Sequence, residues 1–102
     1  MSIYVVTAVR RDPVTGEISR VRWAQVDAQG GGRIPPSEEV DAILAVDEIE
    51  AGNDVVTWHG AGEAGQRGRA LRIEVQGNAV EVLRDDPADG RYLLGLEDLP
   101  QF

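Results

Sequence analysis

Ile3 to Arg10 reads Ile-Tyr-Val-Val-Thr-Ala-Val-Arg, apolar at both parities and rich in β-branched residues. That pattern predicts a strand covered on both faces, at the centre of a sheet. Asp12-Pro13-Val14-Thr15-Gly16 has the residues of a tight turn, with glycine supplying positive φ, and Glu17 to Val26 is the return strand. Pairing Asp12 with Glu17 sets Val6 opposite Trp23 and Ala8 opposite Val21. Asp27 to Pro36, with three consecutive glycines and two prolines, reads as a loop. Ser37 then suits a helix N-cap, Glu38 and Glu39 the positive end of the dipole, and Val40, Ile43 and Leu44 the buried face. Ile49 falls out of phase with that stripe, and Gly52 or Asn53 supplies the stop. Asp54 to Trp58 predicts a further strand. Leu71 to Gln76 and Ala79 to Arg84 flank Gly77-Asn78, the signature of a two-residue type II′ hairpin. Pairing Gln76 with Ala79 puts Ile73 opposite Val82, Val75 near Val80 and Glu74 opposite Glu81. Asp85 to Gly90 is a polar turn, and Tyr92, Leu93, Leu94, Leu96, Leu99 and Phe102 make an apolar tail expected to dock on the core. The order β-β-α-β-β-β describes one α+β domain over residues 1–102, a mainly antiparallel sheet packed on one helix.

Composition narrows what such a domain can do. At 102 residues with 42% hydrophobic content the chain supports one modest core. A net charge of −8 argues against bulk nucleic acid and anionic membranes as partners. Every basic side chain except the one histidine is arginine, so Schiff-base chemistry and a P-loop lysine have no residue to use. The absence of cysteine removes disulfides, thiolate nucleophiles and zinc-thiolate sites together. Met1 to Val9 is too short an apolar run for a signal peptide, so a cytoplasmic location is expected.

Thr7-Ala8-Val9-Arg10, the helix end Glu50-Ala51-Gly52-Asn53 and the closing Leu96-Glu97-Asp98-Leu99-Pro100-Gln101-Phe102 resemble a family of small bacterial domains of unknown function. In that family a TAVR-like strand opens the domain and an L-x-x-L-P-x-F-like segment closes it. Leu94-Gly95 departs from the family pattern, which has a polar pair there, and the loop after His59 is long for it. The resemblance implies a compact α+β domain and carries no functional residues across.

The stretch His59-Gly60-Ala61-Gly62-Glu63-Ala64-Gly65-Gln66-Arg67-Gly68-Arg69 contains a literal G-x-G-x-x-G. A dinucleotide fingerprint needs a helix directly after the glycines. Here Gly68 follows at once and Leu71-Arg72-Ile73-Glu74-Val75 alternates as a strand, so the segment is a strand-to-strand loop and no cofactor is expected. His59 and Glu63 lack a third metal ligand, and His59 reads as a strand-end residue in water. Asp85, Asp86 and Asp89 fail as a calcium loop because Pro87 and Leu96 occupy ligand positions. No serine or threonine stands in a nucleophile-elbow context. Glu74 facing Glu81 should repel unless compensated, with Arg72 and Arg84 the nearest compensators.

No catalytic and no metal residues are assigned. The candidate binding residues are Arg10, Arg11, Arg20 and Arg22 on the first hairpin, and His59, Arg67 and Arg69 around the glycine-rich loop. Three readings stay open. The first is a non-catalytic module that binds a protein partner or itself, through the second hairpin's edge, the Gly30-Gly31-Gly32 loop or the loop from Gly60. The second is a nucleic-acid or anionic-ligand binder on the first-hairpin arginines, whose alternation places Trp23 on the opposite face from Arg20 and Arg22. The third is a small enzyme using His59.

Overall fold

The computed structural model describes residues 2–26, 34–60 and 64–102. Among the described residues six strands and one α-helix are formed: β1 (Ile3–Arg11), β2 (Ile18–Val26), β3 (Glu38–Asp41), α1 (Ala42–Glu50), β4 (Asp54–His59), β5 (Gln66–Val75) and β6 (Glu81–Asp85). The strands make one sheet in the order β3-β2-β1-β4-β5-β6. Only β1 and β4 run parallel. The α+β class and the mainly antiparallel sheet on one helix are as the sequence predicts, and the both-parity pattern of β1 has its physical cause. Val6 and Val9 face α1 in a core with Val21, Trp23, Val46, Val55, Leu71 and Leu83, while Val5 packs on the other face with Ala24 and Val56.

The first hairpin closes as its turn residues dictate. Asp12 Oδ1 accepts from Val14 N and Thr15 N at 2.8 and 3.1 Å, Asp12 N donates to Glu17 O at 2.8 Å, and Gly16 takes φ +75°. Val6 lies opposite Trp23, but an irregularity between Val6 and Ala8 sets Ala8 against Arg22 and Val9 against Val21. Trp23 is buried and stacks on Tyr4, ring centroids 4.4 Å apart.

The helix does not begin at Ser37. Glu38–Asp41 is an edge strand on β2, where Arg20 holds Glu39 at 2.5 Å and also pairs with Asp41. Glu39, one of the two acidic residues that suit a helix start, thus serves a strand, where Arg20 neutralises it together with Asp41. Starting α1 at Ala42 rotates its buried stripe. Ala45 and Val46 are buried, Ala42 and Ile49 pack partly against the core, and Ile43 and Leu44 point to solvent. The spacing 42, 45, 46, 49 is a proper helical face. Its small alanines let the helix lie close to the sheet. The stop is as expected: Gly52 has φ +90° and Asn53 N donates to Glu48 O at 3.0 Å.

The second hairpin differs from its expected register by one residue. Its loop is Gly77-Asn78-Ala79, closed by Gln76 N to Val80 O at 2.9 Å, with Ala79 at φ +65°. This is the three-residue loop with a final left-handed residue. Ile73 consequently faces Leu83, and Glu74 faces Val82 rather than Glu81. The like charges placed opposite are Arg72 and Arg84, and Glu74 reaches both, at 3.8 and 3.2 Å.

β4 covers only the first half of β1, and β6 only the second half of β5. The closing segment fills both vacant half-edges. Asp86 N donates to Ala70 O and Arg69 N to Leu94 O, so residues 86–94 run along the start of β5. Val9 N donates to Pro100 O and Phe102 N to Val9 O, so the last residues extend the β4 position beside β1. Leu96 and Leu99 are buried between these attachments, as the docked tail requires, whereas Leu93 stays outside. Among the described residues no helix is long and apolar enough to cross a membrane.

Candidate functional site

β5 begins at Gln66, so Arg67, Gly68 and Arg69 belong to a strand and the loop after Gly60 is shorter than its glycines suggest. That strand starts directly after Gly65, where a dinucleotide fingerprint would need a long helix, which removes that reading. Residues 61–63, including Gly62 and Glu63, and the Gly30-Gly31-Gly32 loop lie outside the described residues.

His59 is half buried rather than exposed at the strand end. Its Nε2 lies 3.0 Å from Thr57 Oγ1, and the Thr57 hydroxyl donates to Arg69 O at 3.1 Å. Thr57 has one hydroxyl hydrogen, so the imidazole donates from Nε2. Burial lowers the His59 pKa from its ordinary 6.5, against the opposing pull of the Asp98 and Asp85 carboxylates. The ring is therefore neutral near neutral pH, its Nε2 committed to a fully buried threonine. Gly68 makes this possible: a Cβ there would fall 2.5 Å from both His59 Nε2 and Leu94 O, and closer still to Thr57 Oγ1.

Each first-hairpin arginine has a partner within the fold. Arg10 Nε donates to Phe102 O at 2.8 Å, and Arg10 and Arg22 both stack on the Phe102 ring, at 5.0 and 4.3 Å. Arg11 donates to Gly16 O and Arg20 pairs with Glu39 and Asp41. Phe102 thus occupies the aromatic contacts that a nucleobase would need from this face. The edge of the second hairpin is also partly occupied, since the Arg84 guanidinium caps Leu83 O at 3.2 Å and the Asp85 carboxylate accepts from Leu96 N at 3.0 Å.

A different constellation forms where residues 86–94 run beside β5. The Arg67 guanidinium lies 4.7 Å from the Tyr92 ring centroid and Arg91 5.0 Å from it. Arg69 Nε donates to Tyr92 O at 2.7 Å. Among the described residues the one carboxylate that contacts this group is Asp89, 3.1 Å from Arg67 Nη2 and 3.7 Å from Arg91 Nε, and its Oδ2 also accepts from Ala70 N at 2.8 Å. Two guanidiniums therefore share one carboxylate that also accepts a backbone bond, with Arg69 held on the Tyr92 carbonyl beside them, on a chain whose overall charge is negative. Among the described residues Arg91 has no hydrogen-bond partner. Beside it Leu93 is 88% exposed, and Gln66, Arg67, Arg91, Tyr92, Leu93 and Leu94 line a depression of about 370 Å³. Arg67 and Arg69 were legible in the sequence. Arg91 and Tyr92 were not, because they sit 22 or more residues downstream and reach the site only through the half-edge of β5.

Among the described residues no group of three or more histidine, aspartate or glutamate side chains is arranged to hold a metal ion. Compared with protein-family models, curated proteins and solved structures, the chain matches none.

Proposed function

We propose that this is a soluble, non-catalytic module of the bacterial cytoplasm that binds a protein partner through the surface formed by Arg67, Arg91, Tyr92 and Leu93. The observation that carries this reading is the pairing of an exposed leucine with two guanidiniums that, among the described residues, share a single carboxylate. Tyrosine and arginine are among the residues enriched in protein interfaces, and a leucine left in water beside them gains by being covered. The partner that fits presents an apolar side chain flanked by carboxylates. A nucleic acid fits less well, since two guanidiniums already engage the Tyr92 ring that would otherwise stack on a base. The resemblance to small bacterial domains belongs to the same proposal and draws support from the way Leu96, Leu99 and Phe102 pack against β1.

The test is an NMR titration of the chain with a peptide of alternating glutamate and leucine. Shifts at the Leu93 methyls and the Arg91 Nε–H, lost in Arg91→Glu, are expected. No shift at about 1 mM peptide overturns the reading. A labelled oligonucleotide that binds at low salt and shifts the first-hairpin arginines instead would favour the anionic-ligand alternative.

A further inference from the structure

The helix carries a second apolar surface that the fold leaves unused. Ile43 and Leu44 are 54% and 44% exposed on the outer side of α1, because Ala42, Ala45, Val46 and Ile49 supply its buried stripe. Asp47 and Glu50 follow Ile43 at four and seven positions and so share its side of the helix. Both are exposed, and Glu50 lies against Glu81 of β6. Among the described residues neither Asp47 nor Glu50 forms an ion pair, in contrast to Glu39 and Asp41, which Arg20 neutralises. The two surfaces are complementary. One sets a bare leucine beside surplus guanidiniums, the other sets two bare aliphatic side chains beside surplus carboxylates.

We propose that the partner is a second copy of this chain: the Leu93 and Arg91 lip of one molecule seats on the Ile43 and Leu44 face of the next, with Arg67 and Arg91 meeting Asp47 and Glu50. This rests on the protein-binding reading above and names its partner. Because the two patches differ, the contact is heterologous and leaves one free patch of each kind at the ends of a pair. Association therefore continues beyond two chains, into a ring or an open row, and weakens with salt as exposed ion pairs do.

Sedimentation velocity on the whole chain tests this with two double variants, all four positions being exposed: Arg91→Glu with Leu93→Asp, and Ile43→Ser with Asp47→Arg. The unaltered chain is expected to grow past a dimer with concentration and to dissociate at about 0.5 M salt. Each double variant alone is expected to remain monomeric, with an unchanged circular dichroism spectrum. Mixed in equal amounts, they still hold one intact patch of each kind and should form a species of two chains and no larger. A monomeric unaltered chain at about 1 mM, a double variant that assembles alone, or a mixture that stays monomeric overturns the proposal. If the chain is monomeric while the glutamate and leucine peptide still shifts Leu93, only the self-partner fails. If the peptide is also silent, the protein-binding reading falls with it.

Discussion

Gly68 is the residue on which the local geometry of β4 and β5 turns. Its missing side chain is the space through which Thr57, His59 and the Leu94 carbonyl approach one another. Gly68→Ala should therefore cost about 3 kcal/mol, near the upper end for overpacking, because two of the crowded atoms belong to hydrogen-bonded side chains and one to backbone. Urea denaturation measures it, and a loss below about 0.5 kcal/mol would contradict the geometry. The glycine itself was visible in the sequence, but its purpose was not. A run of glycines between two strands announces a loop, and nothing local says that one of them is already a strand residue beneath a histidine. Likewise His59 stood out as the sole histidine, while its burial depends on the closing segment that packs beside β5.

At the scale of elements, what could be read in advance follows a physical division. β1 and the first hairpin were legible because β-branched runs and an Asp-Pro turn speak locally. α1 was not legible in its phase, since Ile43 and Leu44 outweigh two alanines in any hydrophobic count although the alanines face the sheet. The second hairpin turned on one residue: placing Ala79 in the loop moves every cross-strand pair and separates Glu74 from Glu81. Ala79 holds φ +65°, which a side chain disfavours. Ala79→Gly should thus raise stability by about 0.5–1 kcal/mol, relief of the left-handed strain outweighing the entropy that glycine adds to the unfolded chain. A lower melting temperature for that variant would show the loop to be built otherwise.

Across the whole molecule, one ion pair joins regions that the sheet order places far apart. Arg84 on β6 grips Glu17, beside the first turn, at 2.6 and 2.8 Å, and Gln76 adds a third bond at 2.7 Å. The Arg84 hydrogen bonds hold the Glu17 carboxyl below its ordinary 4.5. A lowered carboxyl stabilises the fold above its unfolded pKa, and that contribution disappears as pH falls through the lowered folded value. Glu17→Gln should consequently cost about 1–2 kcal/mol at about pH 7, reduced from a buried pair because both groups remain partly in water. The deficit should shrink as pH falls below the ordinary 4.5 and through the lowered value, which denaturation curves compared across that range would show. No spacing in the sequence joins Glu17 to Arg84, because their meeting depends on the course of the whole sheet. The filling of both half-edges by residues 86–102 has a further consequence, for the order of events in time. A chain emerging from the ribosome exposes the open flanks of β1 and β5 until residues 86–102 appear, and Arg10 of β1 must wait for a partner, Phe102, 92 residues away. Such distant pairing slows folding and prolongs the interval in which unpaired strand edges can join a neighbouring chain.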